Sequence, residues 1–148
     1  MGSLRIAVGS DHGGFEQKEI IAKRLTAEGC EVTDFGCSST ESVDYPDYAA
    51  PVAQAVARGD ADFGILVCGT GIGMMLAANK VKGIRAANVT SVEFAHLARE
   101  HNNANVVTLS GRFVDLELNW QIVQEFLKTE FAGGRHERRV AKIMALED

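Results

Sequence analysis

Cysteine is scarce in this 148-residue sequence, which has three: Cys30, Cys37 and Cys68. Their number is odd, and they show neither C-x-x-C spacing nor a partner pair of histidines. A disulfide framework and a zinc site are therefore poorly supported. We expect no bound metal and a reducing, cytoplasmic environment, in which Cys30 and Cys37 are packing residues beside a strand.

The sequence also lacks a long apolar run and an excess of positive charge. It has 15 Lys and Arg against 20 Asp and Glu, which gives a formal net charge of -5. This balance argues against a partner that is nucleic acid or an anionic membrane, and no apolar run approaches membrane-spanning length. No secretory signal is predicted, because a strand pattern begins at Leu4. An anionic ligand needs a local cluster of basic groups.

Composition and pattern together predict one α/β domain over residues 1–148. Hydrophobic residues make up 46% and charged residues 24% of the chain, as in soluble proteins, and we see no internal repeat, linker or low-complexity tract. Alternating β-rich and helical runs predict a Rossmann-like, doubly wound parallel sheet with helices on both faces. The predicted strands are 4–9, 31–35, 63–68, 85–89 and 106–110. The predicted helices are 14–28, 47–58, 71–80, 91–101, 115–128 and 135–146.

Proline and glycine qualify this pattern in two places. Pro46 fits the first turn of the second helix, whereas Pro51 is expected to delay or kink the start of that helix. Gly133 and Gly134 form a hinge, which predicts that the C-terminal helix extends from the body.

Unusual residues follow the strands, where doubly wound proteins bind their ligands. Ser-Asp-His-Gly-Gly at 10–14 follows the first strand, and Cys-Gly-Thr-Gly-Ile-Gly at 68–73 follows the third. Arg112 comes just after the fifth strand, and the fourth helix ends in His101-Asn102. A binding site is therefore predicted where these segments meet.

The 68–73 segment joins an apolar strand to a helix. Its glycines bring bare N–H groups to a ligand, and a thiol placed there can act as a base or nucleophile when it is a thiolate. The alternative is a tight turn with a buried cysteine. A dinucleotide site is disfavoured because the G-x-G-x-x-G pattern needs glycine where Met74 stands, and no Gly-Lys-Ser/Thr ending exists for a P-loop. We therefore expect no cofactor.

Asp11, His12 and His101 each have a functional and a structural interpretation. Asp11 and His12 can exchange protons or bind a hydroxyl and a phosphate, but Asp11 can also be a helix N-cap beside an exposed His12. His101 shares an apolar helix face with Phe94 and Leu97, so it can equally be structural.

The last helix begins with the segment Arg-His-Glu-Arg-Arg. Arg135 and Arg139 are four residues apart and share a helix face, which makes them either a phosphate fork or a solvated charge pair. Arginine at a helix start opposes the helix dipole, which favours a nearby anion.

Taken together, these motifs closely resemble ribose-5-phosphate isomerase type B, in a family that includes galactose-6-phosphate isomerase subunits. The resemblance covers essentially the whole chain. It rests on the 9–14 segment, the 68–73 segment followed by Ala-Ala-Asn-Lys at 77–80, His-Asn at 101–102, and Gly-Gly-Arg-His-x-x-Arg at 133–139. It implies a Rossmann-like fold, a homodimer or dimer of dimers with shared active sites, and no metal or organic cofactor.

The resemblance also implies a role for each site residue. Cys68 is the base that carries a proton between C1 and C2, and His101 opens the furanose ring. A second branch of the family has a glutamate just after the glycines, where this chain has Met74, so the chain resembles the cysteine branch. The other implied roles are enediolate binding by Thr70, Gly69, Gly71 and Gly73, proton shuttling by Asp11, a position beside the ring for Asn102, and phosphate binding by His12, Arg112, Arg135 and Arg139.

The sequence narrows the substrate to a sugar phosphate but does not identify the sugar. Ribose 5-phosphate is favoured, and a hexose 6-phosphate such as allose or galactose 6-phosphate is the alternative. A non-catalytic phosphosugar or nucleotide sensor is the hypothesis from another class, and Cys68 together with the lack of an output domain favours the enzyme.

Overall fold

The structure is a computed structural model that describes residues 3–147, so residues 1, 2 and 148 of the predicted domain lie outside the described part. Five strands and six helices follow one another there in the predicted order. The strands are β1 (Arg5–Ser10), β2 (Glu31–Asp34), β3 (Phe63–Cys68), β4 (Ala86–Asn88) and β5 (Val106–Ser110). The helices are α1 (Phe15–Ala27), α2 (Pro46–Ala57), α3 (Ile72–Ala78), α4 (Val92–Glu100), α5 (Leu116–Lys128) and α6 (Arg135–Met144).

The strands form one parallel sheet in the order β2-β1-β3-β5-β4. Helices cover both faces, and the central strands are buried almost throughout. Alternate residues of β3 show this: Val67 packs in the core formed with α1, α4 and α5, whereas Leu66 and Cys68 pack in the core formed with α2 and α3. The predicted Rossmann-like, doubly wound fold is confirmed.

Two apolar cores hold these layers together. Phe126 of α5 and Ile21 of α1 are almost completely buried in the first, and Val52 of α2 and Met74 of α3 in the second. Full burial of such a side chain contributes about 1.5–3 kcal/mol. Cys30 and Cys37 are also buried, and neither forms a disulfide, in agreement with their predicted packing role.

Helix α2 begins at Pro46 and runs without interruption through Pro51 to Ala57. The expectation that Pro51 delays the start was therefore wrong. Proline costs the helix one backbone hydrogen bond, but Ala49 and Val52 are fully buried against the sheet on either side of it. Tertiary packing outweighs the local preference here.

Helix α6 follows two glycines in the left-handed region, with φ of 68° at Gly133 and 58° at Gly134. Val140 is its buried residue, whereas Ile143 is 47% exposed and Leu146, just past the helix, is 85% exposed. The helix therefore presents apolar side chains that the rest of the described chain does not cover.

Candidate active site

We call the region at the carboxyl ends of β1 and β3 the crevice, because the order in which strands are added to the sheet reverses there. Strands β1 and β3 are neighbours, but β2 lies on the far side of β1, and β5 and β4 lie beyond β3. The segments that leave β1 and β3 therefore diverge, which is where open α/β sheets bind ligands. Segments 10–14 and 68–73 both start at this point.

The Cys68 thiol lies at the floor of this crevice and is 5% exposed. Its Sγ accepts a hydrogen bond from the Gly71 N–H at 3.2 Å. Gly71 has φ of 85°, which favours glycine, and this conformation turns the backbone N–H back toward the sulfur. Thr70 is exposed, and its Oγ1 accepts from the Ile72 N–H at 3.1 Å. The threonine hydroxyl hydrogen is thus available to a ligand oxygen.

Asp11 shapes the turn that follows β1. Its Oδ1 accepts hydrogen bonds from the N–H groups of Gly13, at 2.9 Å, and Gly14, at 3.2 Å. The N-cap of α1 is Gly14, so Asp11 stabilises the turn before the helix without occupying the cap position itself. One carboxylate oxygen of Asp11 is left for a ligand.

A segment between β2 and α2 borders the crevice. Lys18, which is 1% exposed, anchors its start by donating from Nζ to the Cys37 carbonyl at 2.8 Å. Farther along, the Val43 N–H donates to His12 Nδ1 at 3.2 Å. This contact makes Nδ1 the acceptor nitrogen, so the neutral His12 ring carries its hydrogen on Nε2, which can donate to an anion.

Two further side chains lie over the glycine segments. A Cβ at Gly73 would lie 2.6 Å from the Tyr45 ring, so the ring packs directly on this glycine. A Cβ at Gly69 would lie 3.2 Å from Arg112 Nη1, and one at Gly13 would lie 3.4 Å from Arg112 Nη2. The Arg112 guanidinium therefore lies across the ends of both β1 and β3.

A second cluster forms where α4 ends near the start of α6. His101 is the C-cap of α4, and its ring stacks on the His136 ring with centroids 4.2 Å apart and planes 13° from parallel. Burial lowers the pKa of His136, and the charges of His101, Arg135 and Arg139 lower it further. Like charge therefore accumulates at this point, as an anion-binding surface requires.

The remaining predicted residues lie beside this cluster. Arg135 and Arg139 are exposed on α6, and Asn102 is exposed directly after His101. His101 and Asn102 line one groove together with Asn88 of β4 and the 62% exposed ring of Phe94. The apolar helix face predicted for His101 is confirmed.

The structure thus gathers the predicted residues into two groups. Asp11, His12, Arg112 and segment 68–73 form the crevice group, defined by the ends of β1, β3 and β5. The second group, which we call the α4–α6 cluster, contains His101, Asn102, His136, Arg135 and Arg139. Among residues 3–147, no hydrogen bond, ion pair or ring contact joins the two groups.

Three neighbours of the site were missed by sequence reasoning. Val43 and Tyr45 lie in an irregular segment without a recognisable pattern, and their contacts with His12 and Gly73 depend on how that segment folds back. Glu100 lies next to His101 in sequence, so charge adjacency was the available signal.

The described residues give little support for a bound metal or a membrane span. Within residues 3–147, no group of three or more His, Cys, Asp and Glu side chains is arranged to hold a metal ion. None of the helices in this part of the chain is long and apolar enough to cross a membrane.

Fold and site together define a class of protein: a doubly wound α/β protein with a buried thiol and a glycine-rich segment at its strand-reversal crevice. Such a crevice suits a small oxygen-rich anion. The chain belongs to the Ribose/Galactose Isomerase family, whose model matches residues 6–143.

Individual relatives match along nearly the whole chain. Ribose-5-phosphate isomerase B of Escherichia coli is 48% identical over 143 residues, which cover 97% of this chain and 96% of the relative. The structure of ribose-5-phosphate isomerase B from Clostridium thermocellum superposes with a TM-score of 0.96 at 52% identity, covering 97% of both chains. That of the Mycoplasma genitalium enzyme with bound ribulose-5-phosphate gives 0.95 at 48% identity, covering 99% of this chain and 98% of the other.

Proposed function

We propose that this protein is an aldose–ketose isomerase that interconverts ribose 5-phosphate and ribulose 5-phosphate through an enediolate. The observation that carries the proposal is the Cys68 thiol, placed at the floor of the crevice with a backbone N–H directed at its sulfur. Family membership and the relative with bound ribulose-5-phosphate support the same substrate. Residues 1–148 act as a single sugar-phosphate isomerase domain in the cytoplasm.

Cys68 is the base of the proton transfer. As a thiolate it removes the proton from C2 of the open-chain aldose, the C1 carbonyl becomes an enediolate, and the same thiol returns a proton to C1. One proton moves from O2 to O1, so the product is an isomer and no oxidant is consumed. Asp11 carries that hydroxyl proton, since it has a carboxylate oxygen that the adjacent turn does not use.

The glycine segment stabilises the negative charge that develops on the substrate oxygen. The Thr70 hydroxyl and the N–H groups of Gly69 and Gly73 are donors held in place before the reaction, which is often the largest single contribution to catalysis. The Gly71 N–H is directed at Cys68 Sγ, so Gly71 contributes through the shape of the turn. Because Ile72 N–H already occupies a lone pair of Thr70 Oγ1, the hydroxyl hydrogen is directed elsewhere.

The substrate phosphate binds to His12, Arg112, Arg135 and Arg139. The arginine charges and the His12 hydrogen bond hold the end of the sugar that does not react, and this binding energy orients the reacting carbons. The neutral tautomer of His12 donates from Nε2, and arginine gives bidentate contacts to phosphate oxygens.

The active site is shared between two subunits of a homodimer, or of a dimer of dimers. Cys68 and Thr70 come from one chain, and His101 and Asn102 come from its partner. Two observations support this arrangement: no hydrogen bond, ion pair or ring contact joins the crevice group to the α4–α6 cluster among residues 3–147, and α6 leaves apolar side chains exposed. His101 opens the furanose ring before the proton transfer, with Asn102 beside it.

A panel of sugar phosphates tests this function. Purified protein, assayed after exhaustive chelation and without added nucleotide, is expected to convert ribose 5-phosphate to ribulose 5-phosphate. Allose and galactose 6-phosphate are the comparison substrates, because the family description includes galactose. A higher kcat/KM for a hexose phosphate reassigns the substrate, activity restored only by a metal refutes cofactor independence, and no turnover of any sugar refutes the enzyme.

A further inference from the structure

A line of interacting side chains runs from α5 to His101, outside the crevice. His96 of α4 lies between two carboxylates, with Nδ1 2.8 Å from Glu125 Oε2 and Nε2 3.0 Å from Glu100 Oε2. The second oxygen of Glu100 lies 3.4 Å from His101 Nε2. The Glu100 carboxylate therefore has one oxygen on each of two histidines.

The position of Glu100 is fixed from the α5 side. Both ring nitrogens of His96 face acceptors, so the ring must donate from both, as an imidazolium does. Its pKa is raised, chiefly by the hydrogen bond to Glu125 and also by Glu100. Glu125 is held in turn by Lys128 Nζ at 3.1 Å and by the Thr129 hydroxyl at 3.0 Å.

His101 is constrained on two sides. Its Nε2 lies 3.4 Å from Glu100 Oε1, at ion-pair distance, and one face of the ring is covered by His136. On α6, the stacked His136 ring lies near Arg135 and Arg139, whose charges lower the pKa of His136. His101 Nδ1 has no hydrogen-bond partner among residues 3–147, so it is the nitrogen left to face a ligand.

We propose that Glu100 is a positioning residue for His101, locked in place by a His96 ring that bridges Glu100 and Glu125. The inference rests on the proposed role of His101 in ring opening. By lying beside Nε2, the carboxylate favours a hydrogen on that nitrogen and fixes the ring orientation, so that Nδ1 exchanges the proton. In ring opening, the doubly protonated ring donates its Nδ1 proton to the ring oxygen as the bond from C1 to that oxygen breaks, which leaves a neutral ring with its hydrogen on Nε2, and the C1 hydroxyl proton leaves to Asp11.

Two substrates separate this role from a structural one. Ribose 5-phosphate forms a furanose ring that must open, whereas a four-carbon aldose 4-phosphate cannot close one, since its O4 carries the phosphate. Glu100→Ala is expected to lower kcat/KM for ribose 5-phosphate about tenfold and that for the four-carbon sugar less than twofold. Glu100→Gln retains an acceptor oxygen and should recover part of the loss, and His96→Gln should give a smaller loss with the same selectivity.

Glu93→Ala is the matched control, because Glu93 is exposed in the first turn of the same helix. The Glu93→Ala variant should leave kcat/KM unchanged for both ribose 5-phosphate and the four-carbon sugar. Circular dichroism and thermal unfolding verify that each variant folds; if Glu100→Ala does not fold, Glu100→Gln and His96→Gln carry the test.

Equal losses on both substrates, or full activity of the Glu100 variants on ribose 5-phosphate, overturn this inference. If His101→Ala shows the selective loss and the Glu100 variants do not, the proposed function stands and the positioning role alone is wrong. A wild-type protein that converts neither sugar overturns the proposed function and this inference with it.

Discussion

At the scale of single residues, backbone groups hold the side chains of the crevice in place. The Gly71 N–H donates to Cys68, the N–H groups of Gly13 and Gly14 donate to Asp11, and the Val43 N–H donates to His12. Backbone donors are fixed by the fold and need no side-chain ordering when substrate binds. The crevice is therefore largely organised before substrate arrives.

The hydrogen bonds of His96 predict that the stability of the folded protein depends on pH. The pKa of His96 is raised above 6.5, so its stabilising effect is complete below pH 6.5 and is lost as pH rises through the raised folded-state value. The pKa of Glu125 is lowered below 4.5, chiefly by His96, so its effect is complete above pH 4.5 and is lost as pH falls through the lowered value.

Both effects are complete between pH 4.5 and 6.5. The difference in thermal midpoint between wild type and His96→Gln is expected to be largest in that window and to shrink in alkaline solution. Thermal unfolding of both proteins at a series of pH values measures this difference in midpoint. A difference that stays constant or grows above pH 6.5 contradicts the paired imidazolium.

Residues that directly follow a strand were predictable from the sequence. Asp11, His12 and Cys68 come at the ends of β1 and β3, and parallel strands bring their carboxyl ends to one edge of a sheet. The contact between His96 and Glu125 was not predictable, because it depends on how α4 and α5 pack across 29 residues of sequence.

At the scale of elements, helix α6 carries the arginines that are predicted to bind the substrate phosphate. Arg139→Ala is expected to raise KM for ribose 5-phosphate and to weaken competitive inhibition by inorganic phosphate, because a charge-assisted bidentate contact is lost. Arg138→Ala is the matched control, since Arg138 is exposed on the same helix but lies one residue, about 100°, away around its axis. Steady-state kinetics with phosphate as inhibitor measure both.

Equal phosphate inhibition in Arg135→Ala, Arg139→Ala and wild type would mean that this face of α6 is only solvated. A change in Arg138→Ala as large as that in Arg139→Ala would indicate a general effect of net charge.

Element order and type followed from hydrophobic runs and glycines, with small shifts at the ends. The strand predicted at 85–89 is shorter, Ala86–Asn88, and α2 includes Pro51 despite its preference against helix interiors. Propensity describes the local chain, whereas the burial of Ala49 and Val52 depends on the sheet beneath them.

At the scale of the whole molecule, the two separate groups of site residues predict complementation between inactive variants. Cys68→Ala and His101→Ala are each expected to be inactive. When they are unfolded together and refolded as an equal mixture, half of the dimers should be mixed, and each mixed dimer should carry one site with both lesions and one with neither. Activity should recover to about a quarter of wild type if the sites are independent.

Mass-tagged chains verify that subunits have mixed. A mixture that contains heterodimers and stays inactive would place Cys68 and His101 in the same chain's site. The family resemblance implies shared sites, but the sequence pattern alone cannot establish them, because contact between chains depends on which surfaces of α3, α4 and α6 the fold leaves exposed.

If the Cys68 thiol moves the proton, its removal in the Cys68→Ala variant should show in kcat for ribose 5-phosphate. We expect a loss of roughly 10²–10⁴-fold, the usual contribution of a general base, while circular dichroism and phosphate binding remain those of wild type. A folded Cys68→Ala variant whose kcat lies within a few-fold of wild type would contradict this role of the thiol.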